Sequence, residues 1–234
     1  MNILAIYTSG PVAGVCVMND GTAVQLIEAE MGLTHSETVM PAVERALSLS
    51  QMTCKDMDLF AVVAGPGSFT GVRLGVCALK GMAHATNKKC VAINALEALA
   101  MNMAYFDGIV CPILDARRGQ VYCAAFDTSS GMPVRVCDDD ACALEDFISS
   151  LPKDKKLAFV GDGVKVNAQK LKNILGNRAV IPPINLINIR CDAVCALAQT
   201  KESEYVPANA LTPIYLRKPQ AERERMARLA QENA

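Results

Sequence analysis

The sequence has few of the residues that build catalytic and metal sites. Only two histidines, His35 and His84, occur among its 234 residues, and neither belongs to an H-x-x-H, H-x-x-x-H or H-E-x-x-H arrangement. A histidine-based metal site needs such a pair at short spacing. The G-x-S-x-G turn that presents a serine nucleophile in many hydrolases is also absent. We therefore predict no catalytic residue and no metal site.

No CxxC pair occurs either, although ten cysteines are scattered between Cys16 and Cys195. The closest pairs, Cys137 with Cys142 and Cys191 with Cys195, lack the companion cysteines or histidines of a zinc site. Because free cysteine behaves as a small hydrophobic residue, we interpret these thiols as reduced and mostly buried. The pattern favours a reducing compartment over a disulfide framework.

Long apolar runs and a leader are missing as well. No stretch approaches the ~18 continuous apolar residues of a membrane helix, and the N-terminus lacks the basic and apolar regions of a signal peptide. We therefore expect a cytoplasmic protein without a membrane segment. The net charge of −1, from 23 basic and 24 acidic residues, gives no strong attraction for a polyanion. Any bound RNA would then be held mainly by a partner.

What the sequence does have is an alternation of strand and helix patterns. A T-x-x-E spacing at Thr34 and Glu37 predicts a helix start, and Pro41 either kinks this helix or begins its regular part. The run 59–64 is apolar at every position, which is typical of a strand covered on both faces. In the first half we predict strands at 2–7, 13–18, 22–28, 59–64 and 90–93, and helices at 34–49, 69–86 and 95–105.

The second half shows the same alternation. It begins with two strands joined by the charged turn 115–119, and it ends in a charged segment that we predict to be a peripheral helix at 221–234. Between them we predict strands at 109–114, 120–126, 157–160 and 179–181, and helices at 144–150, 165–175 and 191–199. The order predicts an α/β fold of two lobes, 1–106 and 107–234, each a mixed sheet flanked by helices.

A glycine-rich turn follows the strand at 59–64. Such a turn before a helix places backbone N–H groups and the positive end of the helix dipole at one spot, which favours an anion. The G-x-G-x-x-x-G spacing is neither the dinucleotide motif nor a P-loop, so a plain tight turn and an anion site both remain open. The turn at 115–119 could likewise bind an anion or pair internally. The candidate anion- or nucleotide-facing residues are Gly65, Gly67, Ser68, Asp115, Arg117 and Arg118.

The helix after this turn has a face with almost no side chains. Gly71, Gly75 and Ala78 share roughly one face, and glycine inside a helix costs up to ~1 kcal/mol relative to alanine. Close approach of another element would explain these residues, and that element is either part of the same chain or a partner. The preceding helix carries an apolar stripe that includes Val39 and Val43, which is typical of a core or a partner helix.

The order of elements looks like the actin-like ATPase (ribonuclease H-like) architecture, and motifs along most of the chain narrow the resemblance. The longest is GPGSFTGVRLGVCALKG at 65–81. Through these motifs the chain resembles the TsaB family, paralogues of the tRNA-modifying protein TsaD. The others are ILAI with TS at 3–9, HSE at 35–37, LEAL at 96–99, DARRGQVY at 115–122 and YLR at 215–217.

The resemblance implies a non-catalytic dimerisation subunit of the complex that forms threonylcarbamoyladenosine next to the anticodon of tRNAs. The implied partners are a TsaD-type paralogue, which carries the metal and the transfer chemistry, and a TsaE-type ATPase. A homodimer forms in isolation, and tRNA is bound only through the complex. No cofactor is implied for this chain alone, with ATP or ADP and Mg²⁺ confined to the assembled complex. The implied partner interface lies on the first two helices, at His35, Glu37, Val39, Val43, Gly71, Gly75, Ala78 and Met82.

One position departs from the family pattern. Family members commonly have Asp where this chain has Tyr7, in the loop with which actin-like ATPases bind phosphate and metal. A phenol does not replace a carboxylate as a hard-cation ligand. The alternative function, an actin-like ATP phosphotransferase or a metallopeptidase, is therefore disfavoured by Tyr7 and by the missing histidine pair. A nucleotide-binding module without catalysis is a third interpretation.

Overall fold

The computed structural model describes residues 1–30 and 35–217. The helix start predicted at Thr34 and the helix predicted at 221–234 lie outside these ranges. Within them, the predicted order of strands and helices is confirmed, with the main differences at 102–105 and 134–143. None of the described helices is both long and apolar enough to cross a membrane.

The first half begins with a three-stranded meander and continues with alternating helices and strands. Its elements are β1 Asn2–Tyr7, β2 Ala13–Asn19, β3 Thr22–Ala29, α1 His35–Leu49, β4 Leu59–Gly65, α2 Phe69–Thr86, β5 Lys89–Asn94 and α3 Ala95–Met101. The second half repeats a meander followed by alternation. Its elements are β6 Ile109–Asp115, β7 Gln120–Asp127, β8 Val134–Ala143, α4 Leu144–Ser150, β9 Leu157–Val160, α5 Gly163–Leu175, β10 Ala179–Val180, α6 Cys191–Thr200 and β11 Val206–Pro207.

The strands form two mixed sheets, with the orders β11-β5-β4-β1-β2-β3 and β10-β9-β6-β7-β8. In the first sheet β1, β4 and β5 are parallel, and β2 and β3 continue it antiparallel. In the second, β6 is parallel to β9 and antiparallel to β7. The predicted α/β fold of two mixed sheets flanked by helices is confirmed.

Helices cover both faces of the first sheet, so β4 is buried along its whole length. Successive residues of a strand point to opposite faces. Leu4 and Ile6 therefore join the core beneath α1 and α2, whereas Ile3 and Ala5 join the core beneath α3 and α6. Full burial of one such large aliphatic side chain contributes roughly 1.5–3 kcal/mol.

α3 ends at Met101 rather than at the predicted residue 105. The Thr128 hydroxyl donates to the Met103 carbonyl at 2.6 Å, and the Tyr105 N–H donates to the Thr128 carbonyl at 2.8 Å. Tyr105 also takes a left-handed backbone conformation, with φ of 62°. These two hydrogen bonds join the chain after α3 to the residue that follows β7, and they are incompatible with a continued helix. Because the partners are more than 20 residues apart, no local sequence pattern predicts them.

β8 has no counterpart among the predicted elements. Its centre is the run Asp138 to Asp140, and aspartate is depleted in strands. β8 is nevertheless favoured as the edge of the second sheet, where charged side chains can reach water. Asp139 also accepts a hydrogen bond from Asn94 and pairs with Arg135.

The first lobe draws on residues from both halves of the chain. α6 packs on β1 and β2, and β11 pairs with β5 at the edge of the first sheet. The Cys191 N–H at the start of α6 donates to Glu28 of β3 at 2.7 Å. The bounds 1–106 and 107–234 therefore separate the two meanders but leave α6 and β11 with the first sheet, and as domain limits they stay a prediction.

α2 lies closer to the first sheet than a helix with ordinary side chains could. A Cβ added at Gly71 would stand 2.1 Å from the Thr8 carbonyl oxygen, and one added at Gly75 would stand 2.5 Å from the Thr8 hydroxyl. That hydroxyl donates to the Gly71 carbonyl at 2.6 Å. For these two glycines, the closely approaching element is therefore part of the same chain.

We expect Gly71→Ala to lower the free energy of unfolding by about 2–3 kcal/mol, because the added methyl group meets a backbone oxygen that cannot rotate away. Gly81→Ala is the matched control in the same helix, since nothing lies within 4 Å of its added Cβ. It should raise stability by about 0.5–1 kcal/mol through helix propensity. Urea unfolding measures both changes, and equal stability of the two variants would contradict the close packing.

Candidate docking face and interlobe cleft

A cleft of about 560 Å³ lies between the two sheets, where α2 begins. It forms at the ends of the parallel strands, where loops from both sheets meet. Ser68 caps α2 there: its hydroxyl accepts from the Gly71 N–H at 3.3 Å, and its own N–H donates to the Ser9 carbonyl at 2.8 Å. The other walls are the turn after β6 and the segment 214–217.

The cleft brings together most of the predicted anion-facing residues. Those that line it are Gly67, Ser68, Asp115 and Arg117. Gly65 does not face the cleft, because the Ile214 carbonyl oxygen would stand 2.2 Å from a Cβ added there. Arg118 belongs to the same turn as Arg117 but is not among the lining residues. The role of these residues towards an anion stays a prediction.

The turn after β6 is held by the carboxylate of Asp115. Its Oδ1 accepts from the Arg117 N–H at 2.8 Å, and Arg117 and Arg118 have φ of 61° and 56° in the left-handed region. The Asp115 N–H in turn donates to Asp162 Oδ1 at 3.0 Å. Burial raises the pKa of Asp162, an effect that the hydrogen bond from Asp115 opposes and the Asp115 charge reinforces. Two neighbouring carboxylates therefore lie on the second-sheet side of the cleft.

Tyr7 is buried at the end of β1, below the loop that lines the cleft. Its ring packs against Gly14, where an added Cβ would stand 2.9 Å from the ring. Burial raises the pKa of Tyr7 well above its ordinary value, and the Glu28 charge raises it further, so the phenol stays neutral. A neutral phenol lacks the charge with which carboxylates hold hard cations. In the ranges 1–30 and 35–217, no three His, Cys, Asp or Glu side chains are grouped as a metal site requires.

The segment 208–217 lies along one flank of α2, where Ile214 also bonds the end of β4. Lys80 Nζ donates to a carbonyl of this segment at 3.0 Å. Arg73 Nε donates to the Tyr215 hydroxyl at 2.9 Å, and the Arg73 guanidinium lies 3.9 Å from the centroid of the Phe69 ring. The segment therefore holds α2 along one flank, between its sheet contacts and its solvent-exposed side.

The same segment reaches the second lobe, where Arg217 Nη1 donates to the Ala116 carbonyl at 3.1 Å. Tyr215 and Arg217 are cleft residues for which the sequence patterns predicted no role. The YLR motif that includes both was the only signal pointing to them, and a motif without periodicity does not say what its side chains contact.

The predicted partner interface divides into buried and accessible residues. Val39, Val43, Gly71 and Gly75 are buried in the core of this chain, where they pack against its own residues, and their docking role stays a prediction. The sequence already indicated this burial for Gly75. At 100° per residue, the large apolar Leu79 lies only about 40° from Gly75 around the helix, so both residues belong to the side that faces the core. The remaining predicted residues are accessible, with His35, Ala78 and Met82 half-buried and Glu37 exposed, and their docking role stays a prediction.

We define the α1–α2 face as the accessible, mainly small or apolar residues of these two adjacent helices. Met40 exposes 44% of its surface, and Gly81 leaves open space above the helix. Cys77 is the one exposed cysteine of the ten. The members of the face are Glu37, Met40, Leu74, Cys77, Ala78, Gly81 and Met82.

His35 connects this face to the cleft. Its Nε2 lies 2.8 Å from the carbonyl oxygen of Gly10, which is one of the cleft residues. The first residue of α1 is thus hydrogen-bonded to the loop after β1. A shift of that loop would move the start of α1, so the two candidate sites share a contact.

Residues 29–224 match the family model of TsaD, described as tRNA N6-adenosine threonylcarbamoyltransferase. The chain is 34% identical to the tRNA threonylcarbamoyladenosine biosynthesis protein TsaB of Bacillus subtilis, over 95% of this chain and 96% of that protein. It is 33% identical to TsaB of Escherichia coli, over 54% of this chain and 55% of that protein. It is also 31% identical to the tRNA N6-adenosine threonylcarbamoyltransferase of Prosthecochloris aestuarii, over 42% of this chain and 32% of that protein.

Among solved structures, YeaZ from Pseudomonas aeruginosa superposes with a TM-score of 0.79 at 22% identity, covering 92% of this chain and 99% of that one. A second structure from that organism, described as similar to peptidase YeaZ, superposes with a TM-score of 0.80 at 23% identity and the same coverage. At these identities the likeness shows the fold.

We expect Asp162→Asn to become more stabilising, relative to the parent, as pH rises above about 4. The folded-state pKa of Asp162 is raised by burial, so folding favours the protonated form and the parent loses stability as pH rises through that pKa. The amide keeps an oxygen for the Asp115 N–H but carries no charge. Urea unfolding from pH 4 to 8 measures the difference, and a difference that is constant with pH, or shrinks as pH rises, would contradict the burial of the charge.

Proposed function

The chain belongs to the TsaB family of tRNA threonylcarbamoyladenosine biosynthesis proteins, and we propose that it acts there as a non-catalytic subunit that binds a TsaD-type partner through the α1–α2 face. One observation carries the docking proposal: α2 has a buried inner side and presents the small residues Cys77, Ala78 and Gly81 outward, and the neighbouring α1 exposes Met40. Apolar surface of this kind on a folded chain is typical of an interaction site.

A docking surface binds more tightly when its shape exists before the partner arrives, because less conformational entropy is then lost on binding. α2 is held in this way on two sides. The Thr8 contacts fix its inner side, and Arg73 and Lys80 attach one flank to the segment 208–217. The short side chains of Ala78 and Gly81 leave room for a partner helix to approach within the 8–10 Å typical of packed helix axes.

A TsaD-type paralogue is the partner we propose, because part of this chain is similar to such a protein. Related chains present related helices, and two such surfaces can pair about a pseudo-twofold axis. The same geometry supports a homodimer of this chain when the partner is absent. We place a TsaE-type ATPase and the tRNA on the assembled complex, since a net charge of −1 gives this chain little attraction for RNA.

We further propose that the chain alone needs no cofactor, and that ATP or ADP with Mg²⁺ acts at the assembled complex. The neutral phenol of Tyr7 supports this, because it lacks the charge with which a carboxylate binds a hard cation. A cytoplasmic location agrees with the proposed function and with ten free thiols.

We expect Gly81→Arg to weaken binding of the cognate TsaD-type protein by at least about 30-fold, because a long charged side chain on the face prevents close helix packing. Size-exclusion co-elution and titration calorimetry measure the loss. Gly75→Arg is unsuitable for this test, since Gly75 packs against Thr8 and its substitution would damage the fold.

Val166→Arg, at a side chain that is 73% exposed on α5, is the matched control and should bind like the parent. Alkylation of the exposed Cys77 gives a second measurement, because the partner should protect it from a maleimide. Unchanged affinity of Gly81→Arg, together with unprotected Cys77 in the complex, would remove the α1–α2 face from the interface.

An ATP phosphotransferase is the second candidate, and the observation that favours it is the pair of carboxylates at Asp115 and Asp162 opposite the start of α2. We expect the purified chain to show no ATP turnover above that of its Asp115→Asn variant, because Tyr7 supplies no carboxylate. Phosphate release with Mg²⁺ measures this. Turnover by the chain alone that Asp115→Asn abolishes would establish the enzyme instead.

A further inference from the structure

Two thiols face each other across the outer strands of the second sheet. Cys123 on β7 and Cys142 on β8 bring their Sγ atoms to 3.6 Å, the distance of two sulfurs in contact but not bonded. They occupy diagonal positions, because Cys123 pairs with Asp140 and Cys142 with Val121 in the strand register. A disulfide needs the sulfurs about 2.05 Å apart. Diagonal neighbours in an antiparallel pair lie about 7–8 Å apart, so closing the bond would take side-chain rotation together with a small shift of the edge strand β8.

The two thiols differ in their access to solvent. Cys123 is fully buried, whereas Cys142 is half-buried on β8, the edge of the sheet. The two sulfurs are within hydrogen-bond distance, and either thiol can donate to the other. Burial raises the pKa of both thiols, and the Asp140 carboxylate raises both further. Cys142 is therefore the sulfur that an oxidant in solution reaches first.

We propose that Cys123 and Cys142 form a redox modification site that a hydroperoxide closes to an intrachain disulfide. The Cys142 thiolate attacks the peroxide, its sulfur takes one oxygen to become a sulfenic acid, and the alcohol or water leaves. Cys123 then attacks the sulfenic sulfur, the S–S bond forms, and the oxygen leaves as water. Two thiols are oxidised by two electrons while one hydroperoxide is reduced, so atoms and electrons balance.

The bond would change the mechanics of the second sheet. It would close a loop of about 20 residues that joins β7 to the edge strand β8, which restricts the unfolded chain. β8 also carries Asp139, which accepts from Asn94 at the N-terminus of α3. Oxidation would therefore fix the edge strand and, through it, a contact to the first lobe.

We expect hydrogen peroxide to lower the count of titratable thiols by two from the ten of the reduced full-length chain. Trypsin should then release a cross-linked pair of peptides, 119–135 containing Cys123 and 136–153 containing Cys142. The melting temperature should rise by about 5–10 °C, and dithiothreitol should reverse the rise.

The second peptide also contains Cys137, so Cys137→Ser is the matched control and should leave the cross-link intact. Cys142→Ser should abolish both the cross-link and the thermal shift, without preventing folding, because it changes a half-buried position on an edge strand. A cross-link lost in Cys137→Ser, or oxidation of Cys142 to the sulfinic acid without any cross-link, would overturn the proposal.

Discussion

The contact between Thr8 and the first turns of α2 determines how the rest of the first lobe is arranged. Glycines at 71 and 75 let the helix come close enough for the Thr8 hydroxyl to bond the Gly71 carbonyl at 2.6 Å. That approach sets the start of α2 against the loop after β1, which creates one wall of the cleft. It also turns Cys77 and Gly81 towards solvent. One backbone contact thus positions both the cleft and the α1–α2 face.

The cleft has the concave shape of a ligand site, but several of its polar groups already form hydrogen bonds with one another. The Asp115 carboxylate accepts a hydrogen bond within its own turn, and the Asp115 backbone N–H donates to Asp162. Arg217 donates to the Ala116 carbonyl. A binding site for a charged ligand usually leaves such groups to be completed by the ligand. Through Tyr215 and Arg217, the segment 208–217 links the second lobe to the start of α2.

The sequence was informative wherever the signal was local. The bounds predicted for α2 agree with the structure because Ser68 caps one end and Asn87 ends the other in a left-handed conformation. The predicted end of α3 was wrong because hydrogen bonds with the distant Thr128 end the helix earlier. β8 was missed because its three aspartates are unfavourable in most strands but can reach water at the edge of a sheet. The glycine spacing predicted that another element packs closely against α2. Only the structure shows that this element is Thr8 of the same chain. The cleft residues near Tyr215 could not be placed, because nothing local links them to α2.

The late position of α6 and β11 in the chain has a consequence for biosynthesis. The first sheet has β11 at one edge and α6 on one face, and both come after the whole second sheet in the sequence. Domains usually fold in order as they leave the ribosome. Here the side of β1 and β2 on which α6 packs stays without that helix until about 200 residues have been made. Ile3, Ala5 and Cys16, which share a core with α6 in the finished protein, are therefore without this helix for most of the synthesis of the chain.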